Sequence, residues 1–115
     1  MSYSPLQTFI TPRVQSVVDA ATITPNSATD DAVNITAIAQ NFTLANPSGT
    51  PVNFQRLSIR IKDNGVPRVI SYGGAYISLG VTLPIITVAT KILTLGFIYD
   101  TTSSSWGLVA LTTQA

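Results

Sequence analysis

The chain has 115 residues with 6 basic and 5 acidic side chains, a net charge of +1, and neither Cys nor His. That composition excludes disulfides, thiolate or histidine metal sites, Ser-His-Asp triads and Cys-His pairs. A balance this close to neutral also argues against a general polyanion binder.

The length fits one domain with a core that needs no staples. Charged residues make up 10% of the chain, against about 25% in a typical soluble domain, and the mean hydropathy is +0.36. The surface is therefore expected to be neutral and rich in hydroxyl and amide groups, which protects poorly against association. This predicts a protein that hides part of its surface in an assembly. The opening MSYSPLQTFITPRV has no basic region followed by an apolar block, so no signal peptide is expected. The most apolar window, residues 80–98, contains Lys91, Pro84 and Gly96 and reads as two core strands joined by a turn, not as a membrane span.

Residues 1–12 read as an extended N-terminal arm, because Pro5 and Pro12 forbid a continuous helix. Its apolar side chains, Tyr3, Leu6, Phe9 and Ile10, need a home on the domain's own edge or on a neighbouring subunit. The β-sandwich domain is expected over 13–115. Val, Ile and Thr are abundant and no amphipathic helical stripe occurs, so almost every segment reads as strand. The expected strands are 13–23, 32–38, 40–45, 54–62, 66–72, 75–79, 85–89, 92–99 and 106–111. Turn signals punctuate them at TPNSATDD, NPSGTP and DTTSSS. Asp63-Asn64-Gly65 reads as the turn of a hairpin between 54–62 and 66–72. Eight to nine short strands at this spacing predict an all-β, antiparallel sandwich of jelly-roll type. The expected core is Val17, Ile35, Leu44, Leu57, Ile59, Ile61, Val69, Leu83, Leu93, Leu95, Phe97 and Leu108, with Trp106 as a packing anchor.

Little in the chain carries catalytic chemistry. Asp19, Asp63 and Asp100 are the candidates for a carboxylate pair of glycosidase type, but Asp63 and Asp100 stand at predicted turns, where Asp is ordinary. Asp30, Asp31 and Asn34 supply oxygens of the kind calcium takes, yet no loop pattern supports that reading against a solvated turn. Gly73-Gly74 is a strand break and no phosphate loop. Asn34-Ile35-Thr36 and Asn41-Phe42-Thr43 match a glycosylation triplet of the kind that chance supplies. The expectation is a protein that is not an enzyme and holds no cofactor, with no catalytic, metal or cofactor-binding residue. RLSIRIKDNGVPRVISY, residues 56–72, holds four of the six basic residues. Arg56, Ser58, Arg60 and Lys62 share one face by the period of two. Without aromatic neighbours for stacking, that stripe reads as a solvated or subunit-facing surface, and nucleic acid is the weaker alternative.

The runs QRLSIRIKDNGVPRVISY, YISLGVTLP and KILTLGFIYDTTSSSWGLVAL, with the upstream VNITAIAQNFTLANPSGTP, resemble a family of small structural proteins of tailed bacteriophages. The resemblance spans roughly residues 13–110. It implies a jelly-roll-like β domain, usually a homotrimer, located on the virion. Members occur as stand-alone capsid decoration (cement) proteins and as pieces of head or tail fibres, and no catalytic residues come with the pattern. The expectations that follow are self-association, as a trimer or alternatively a dimer, and contact with the major capsid protein or another virion protein. Nucleic acid and membrane are not expected partners. Tyr3, Leu6, Phe9 and Ile10 are candidate capsid or subunit contacts, and Arg56, Arg60 and Lys62 a candidate interface stripe. The alternative function is a fibre component or a glycan-binding module, for which Tyr72, Tyr76 and Trp106 would be the sugar-stacking aromatics.

Overall fold

A computed structural model describes residues 11–115. The described residues form nine strands: β1 (Val14–Val17), β2 (Thr22–Ile23), β3 (Ala32–Ile38), β4 (Phe42–Leu44), β5 (Arg56–Asp63), β6 (Ile70–Tyr72), β7 (Tyr76–Ser78), β8 (Leu93–Asp100) and β9 (Ser105–Thr113). They form a six-stranded sheet in the order β1-β3-β5-β8-β9-β7 and a three-stranded sheet in the order β2-β4-β6. The described residues contain no helix. One cluster of buried side chains draws on both sheets: Val33, Ile35, Leu57, Ile59, Ile61, Leu95, Phe97, Trp106 and Leu108 from the larger, and Ile23, Phe42, Leu44 and Ile70 from the smaller. The architecture is thus all-β with two sheets enclosing a core, as the strand-rich sequence predicts.

The pairing within the sheets is different from the expectation. β1–β3, β3–β5, β2–β4, β4–β6 and β7–β9 are parallel. Only β5–β8 and β8–β9 are antiparallel. The chain passes from the large sheet to the small one three times, from β1 to β2, β3 to β4 and β5 to β6, and each pass stacks in parallel on the one before. Equivalent residues therefore form ladders, such as Ile23, Leu44 and Tyr72 across the small sheet. A jelly roll built from antiparallel hairpins does not have this connectivity.

Asp63-Asn64-Gly65 consequently closes no hairpin. β5 pairs with β3 and β8, while the chain beyond the turn reaches β6 in the other sheet. The local chemistry is still that of a turn: Gly65 has φ +105° and donates its N–H to Asp63 Oδ1 at 2.9 Å. The hairpin that does form joins β8 to β9 through the DTTSSS loop. Residues 13–23 break into two strands, one in each sheet. Residues 85–89 form no strand; they lie beside β6, where Ile70 N–H donates to Ile85 C=O at 2.9 Å and Val69 bridges Ile86.

Of the expected core, Ile35, Leu44, Leu57, Ile59, Ile61, Leu93, Leu95, Phe97, Leu108 and Trp106 are buried, while Val17 and Leu83 are partly buried against them. Val69 is a correction. It is 46% exposed, and its neighbour Ile70 turns inward instead. Phe97 stacks against Tyr76 at 5.1 Å and Trp106 against Tyr99 at 5.0 Å between ring centres, in the offset range that aromatic pairs favour.

Candidate interaction surface

The chain's five carboxylates are its candidates for catalytic or metal chemistry. Each accepts a backbone N–H from a neighbouring loop or turn: Asp19 from Ala39, Asp30 from Asn26, Asp31 from Arg13, Asp63 from Gly65 and Thr90, and Asp100 from Thr102. Asp31 also takes both Nε and Nη2 of Arg13, the latter at 2.8 Å. Asp30 and Asp31 are therefore spent on separate contacts and do not converge with Asn34. No cluster of three or more potential metal ligands occurs among the described residues.

Asp63 is the acid whose place sequence reasoning missed. It ends the inward-facing series Leu57, Ile59 and Ile61, and it is 3% exposed. Thr87 Oγ1–H donates to it at 2.7 Å, and Thr90 N–H at 2.9 Å. Burial pushes its pKa up, but the N–H groups of Thr90 and Gly65, the Thr87 hydroxyl and the Arg68 charge outweigh that and leave it below the usual carboxylate value. Asp31, held chiefly by the Arg13 side chain and then by its N–H, is lowered to about 2. Both folded-state pKa values lie below the unfolded one, so both carboxylates stabilise the fold above about pH 4 and lose that contribution as the pH falls through the folded values. The chain has no His or Cys, so no side chain has an ordinary pKa between about pH 5 and 8. The expected thermal midpoint is flat over that range and drops between about pH 4 and 2; a step near neutrality in a calorimetric pH series would contradict this assignment.

The outer face of the large sheet is the main exposed feature. In register across it run Val14, Ala32, Ser58, Gly96 and Ala110, one residue from each of β1, β3, β5, β8 and β9. Apart from Val14 the side chains of this row are small, and Val14, Ala32 and Ser58 line one recess with Pro12, Arg60 and Thr94. Next to it runs a polar row of Ser16, Asn34, Arg60, Thr94 and Thr112. On the other side, Arg56 pairs with Ile98. Arg56, Arg60 and Lys62 are all exposed, as the period of two predicts. None lies in a salt bridge among the described residues, where the one ion pair is Arg13–Asp31. Their in-register neighbours Asn34, Thr94 and Ile98 include no aromatic ring.

At the end of this face three large apolar side chains, Phe54, Leu79 and Val109, line one groove with Ile98 and Tyr99. They are 76%, 51% and 46% exposed. Each is presented by a local device. Phe54 sits in the left-handed region at φ 67°, held by its N–H donating to Tyr99 C=O at 2.9 Å. Val109 is the extra residue of a β-bulge, because Phe97 pairs with Leu108 while Gly96 pairs with Ala110; bulges re-aim side chains in this way. Leu79 lies directly over Gly107, where a Cβ would collide with its side chain. A bulky residue in the left-handed region costs on the order of 1–2 kcal/mol, and such strain clusters at functional sites.

A second exposed apolar area surrounds the segment beside β6, with Ile85 at 70% and Val66, Val69, Ile86 and Val88 about half exposed. The aromatics considered for sugar stacking are elsewhere. Tyr76 and Trp106 are buried at 4% and 2% exposure, and the Tyr72 and Tyr76 hydroxyls donate to the carbonyls of Pro84 and Ala45. Burial pushes both phenol pKa values up. These rings belong to the core. Tyr3, Leu6, Phe9 and Ile10 lie outside the described residues.

Comparison with known protein families, with curated proteins and with solved structures finds no match to this chain.

Proposed function

We propose that this protein is a structural component of a bacteriophage virion, an oligomer that decorates and stabilises the capsid. The observation that carries the reading is the outward-facing Phe54–Leu79–Val109 groove beside a neutral sheet face, in a chain of which only 10% is charged. Apolar surface presented at the expense of backbone strain is what a protein–protein contact uses. The resemblance of residues 13–110 to small phage structural proteins supplies the partner, a virion surface, and the expectation of a trimer. Repeated weak contacts on a symmetric shell add up through effective concentration, so no single site needs high affinity. The carboxylates, each engaged by a backbone amide, fit a structural role better than a catalytic one.

Co-sedimentation tests the proposal. Purified protein added to capsids of the encoding phage that lack it is expected to pellet with them at a fixed ratio per capsid subunit. Protein that stays in the supernatant and instead binds host cells would overturn the decoration reading in favour of the fibre one.

A further inference from the structure

Two exposed apolar surfaces stand at opposite ends of β5. Phe54, in the groove, lies two residues before the strand begins. The 85–88 segment is tied to its far end, where the Thr87 hydroxyl donates to Asp63 at 2.7 Å. The eight residues of β5 put roughly 25 Å between the two. We infer that the groove of one chain receives the 85–88 segment of a second copy, so that association joins unlike surfaces. The inference rests on the self-association proposed above and names the partner of the groove.

Three observations carry it. The first is that the 85–88 segment is an open edge. Ile70 N–H donates to Ile85 C=O and Thr87 N–H to Arg68 C=O, both at 2.9 Å, on either side of the Val69–Ile86 bridge. With those flanking bonds made, the N–H and C=O of Ile86 itself point away from β6. Among the described residues no backbone group pairs with them. An exposed apolar edge of this kind is where a second chain adds.

The second is apolar surface at both ends of the contact. Ile85, Ile86 and Val88, with Val66 and Val69 beside them, leave the β-branched side chains of the segment in solvent. The groove offers Phe54, Leu79 and Val109 in the same way. Each surface gains by covering the other.

The third is charge. Asp100 is the one charged residue lining the groove. Arg56, across from Ile98, lines a separate recess with Pro12 and Asp31. The segment ends in a turn where Lys91 N–H donates to Val88 C=O at 3.0 Å, and the acid it contacts, Asp63, is buried. Neither Asp100 nor Lys91 belongs to an ion pair among the described residues. Groove against groove would bring Asp100 toward its own copy, and segment against segment would do the same for Lys91. Groove against segment brings Asp100 to Lys91, and such complementarity fixes partner and register.

Mixing separates unlike from like pairing. Phe54→Gly removes the groove's ring, and Ile85→Ser removes the most exposed side chain of the segment. Sedimentation equilibrium of each variant alone is expected to show association at least tenfold weaker than the parent's. The equimolar mixture is expected to form a two-chain species, because one intact groove then meets one intact segment. Ile85→Ser that associates like the parent, or a mixture no more associated than its components, would overturn the inference. If Ile85→Ser impairs folding, Val66→Ser, at another exposed site of the same patch, takes its place. A second measurement reads the register. Asp100→Lys and Lys91→Asp are each expected to weaken association several-fold, and the double variant to recover it; losses that add in the double variant would overturn the pairing. Capsids play no part in these measurements, so co-sedimentation judges the virion reading separately.

Discussion

Asp63→Ala is expected to lower the free energy of unfolding by about 2–4 kcal/mol, the largest effect of any single polar substitution in this chain. The reasoning is one of unpaired donors. The carboxylate receives Gly65 N–H, Thr87 Oγ1–H and Thr90 N–H. Hydrogen bonds to a charged group contribute about 1.5–3 kcal/mol each, and a buried donor left without a partner costs about 1–3 kcal/mol. Losing the acceptor also frees the 87–90 segment, where Thr90 is a β-branched residue held at φ 65°. Water can satisfy part of what is lost, which keeps the estimate below the simple sum. Asp63→Asn keeps one carbonyl oxygen and the side chain's shape, so it should lose clearly less. Urea unfolding measures both, through a shift of midpoint at constant slope. A change under about 0.5 kcal/mol for Asp63→Ala, the size of an ordinary surface substitution, would refute the assigned role.

Phe54→Gly should separate folding from association. Glycine adopts a positive φ without strain, which returns on the order of 1 kcal/mol, while its greater freedom in the unfolded chain costs about the same. The ring is 76% exposed, so little burial within the subunit is lost. Stability should therefore stay within about 1 kcal/mol of the parent. Self-association should not. An exposed aromatic at the centre of an apolar contact contributes about 2 kcal/mol or more, which is roughly a 30-fold weaker dissociation constant. Val109→Ser, at the bulge, should act in the same direction with a smaller effect. A Phe54→Gly variant that unfolds readily would show instead that Phe54 is a packing residue, and one that associates like the parent would remove the groove from the interface.

Much of the fold can be read from residue pattern, and the boundary of what can be read is physical. β3 and β5 follow from strict alternation, since a period of two assigns each side chain to a face whatever the strand pairs with. By that same parity Asp63 belongs with Leu57, Ile59 and Ile61, so its burial was legible to anyone who carried the alternation one step past Lys62. The Asp-Asn-Gly turn signal is strong enough to mask that parity. The turn is there, with Gly65 at positive φ. A turn fixes only that the chain changes direction, however, and not which strand it pairs with next. β5 pairs instead with β3 and β8, which sets Ile59 and Ile61 between Val33, Ile35, Leu93 and Leu95. Such non-local terms leave no mark on a local pattern. Val69 faces outward for a related reason. Its bridge to Ile86 sets the facing of that stretch, and the sequence around Pro67 does not.

The surface was legible only in outline. Low charge predicts association, and alternation puts Arg56, Arg60 and Lys62 outside. Neither locates the groove. Phe54 is exposed because of its backbone conformation and Val109 because of a bulge, while Leu79 takes its place in the groove by lying in the space that Gly107 leaves open. All three depend on the register between β8 and β9 or on the return of the chain beside Tyr99. The small-residue row likewise exists only once five strands are aligned, since its members are scattered from Val14 to Ala110.

The claim that joins these points is that this chain associates through its exposed apolar face. Sedimentation equilibrium of the 115-residue chain over a range of concentrations tests it most directly. The expected mass is a whole multiple of 12.2 kDa, three-fold for a trimer, with a shift toward the single-chain mass in Phe54→Gly. A mass of 12.2 kDa at every concentration, identical for the parent and the variant, would contradict it.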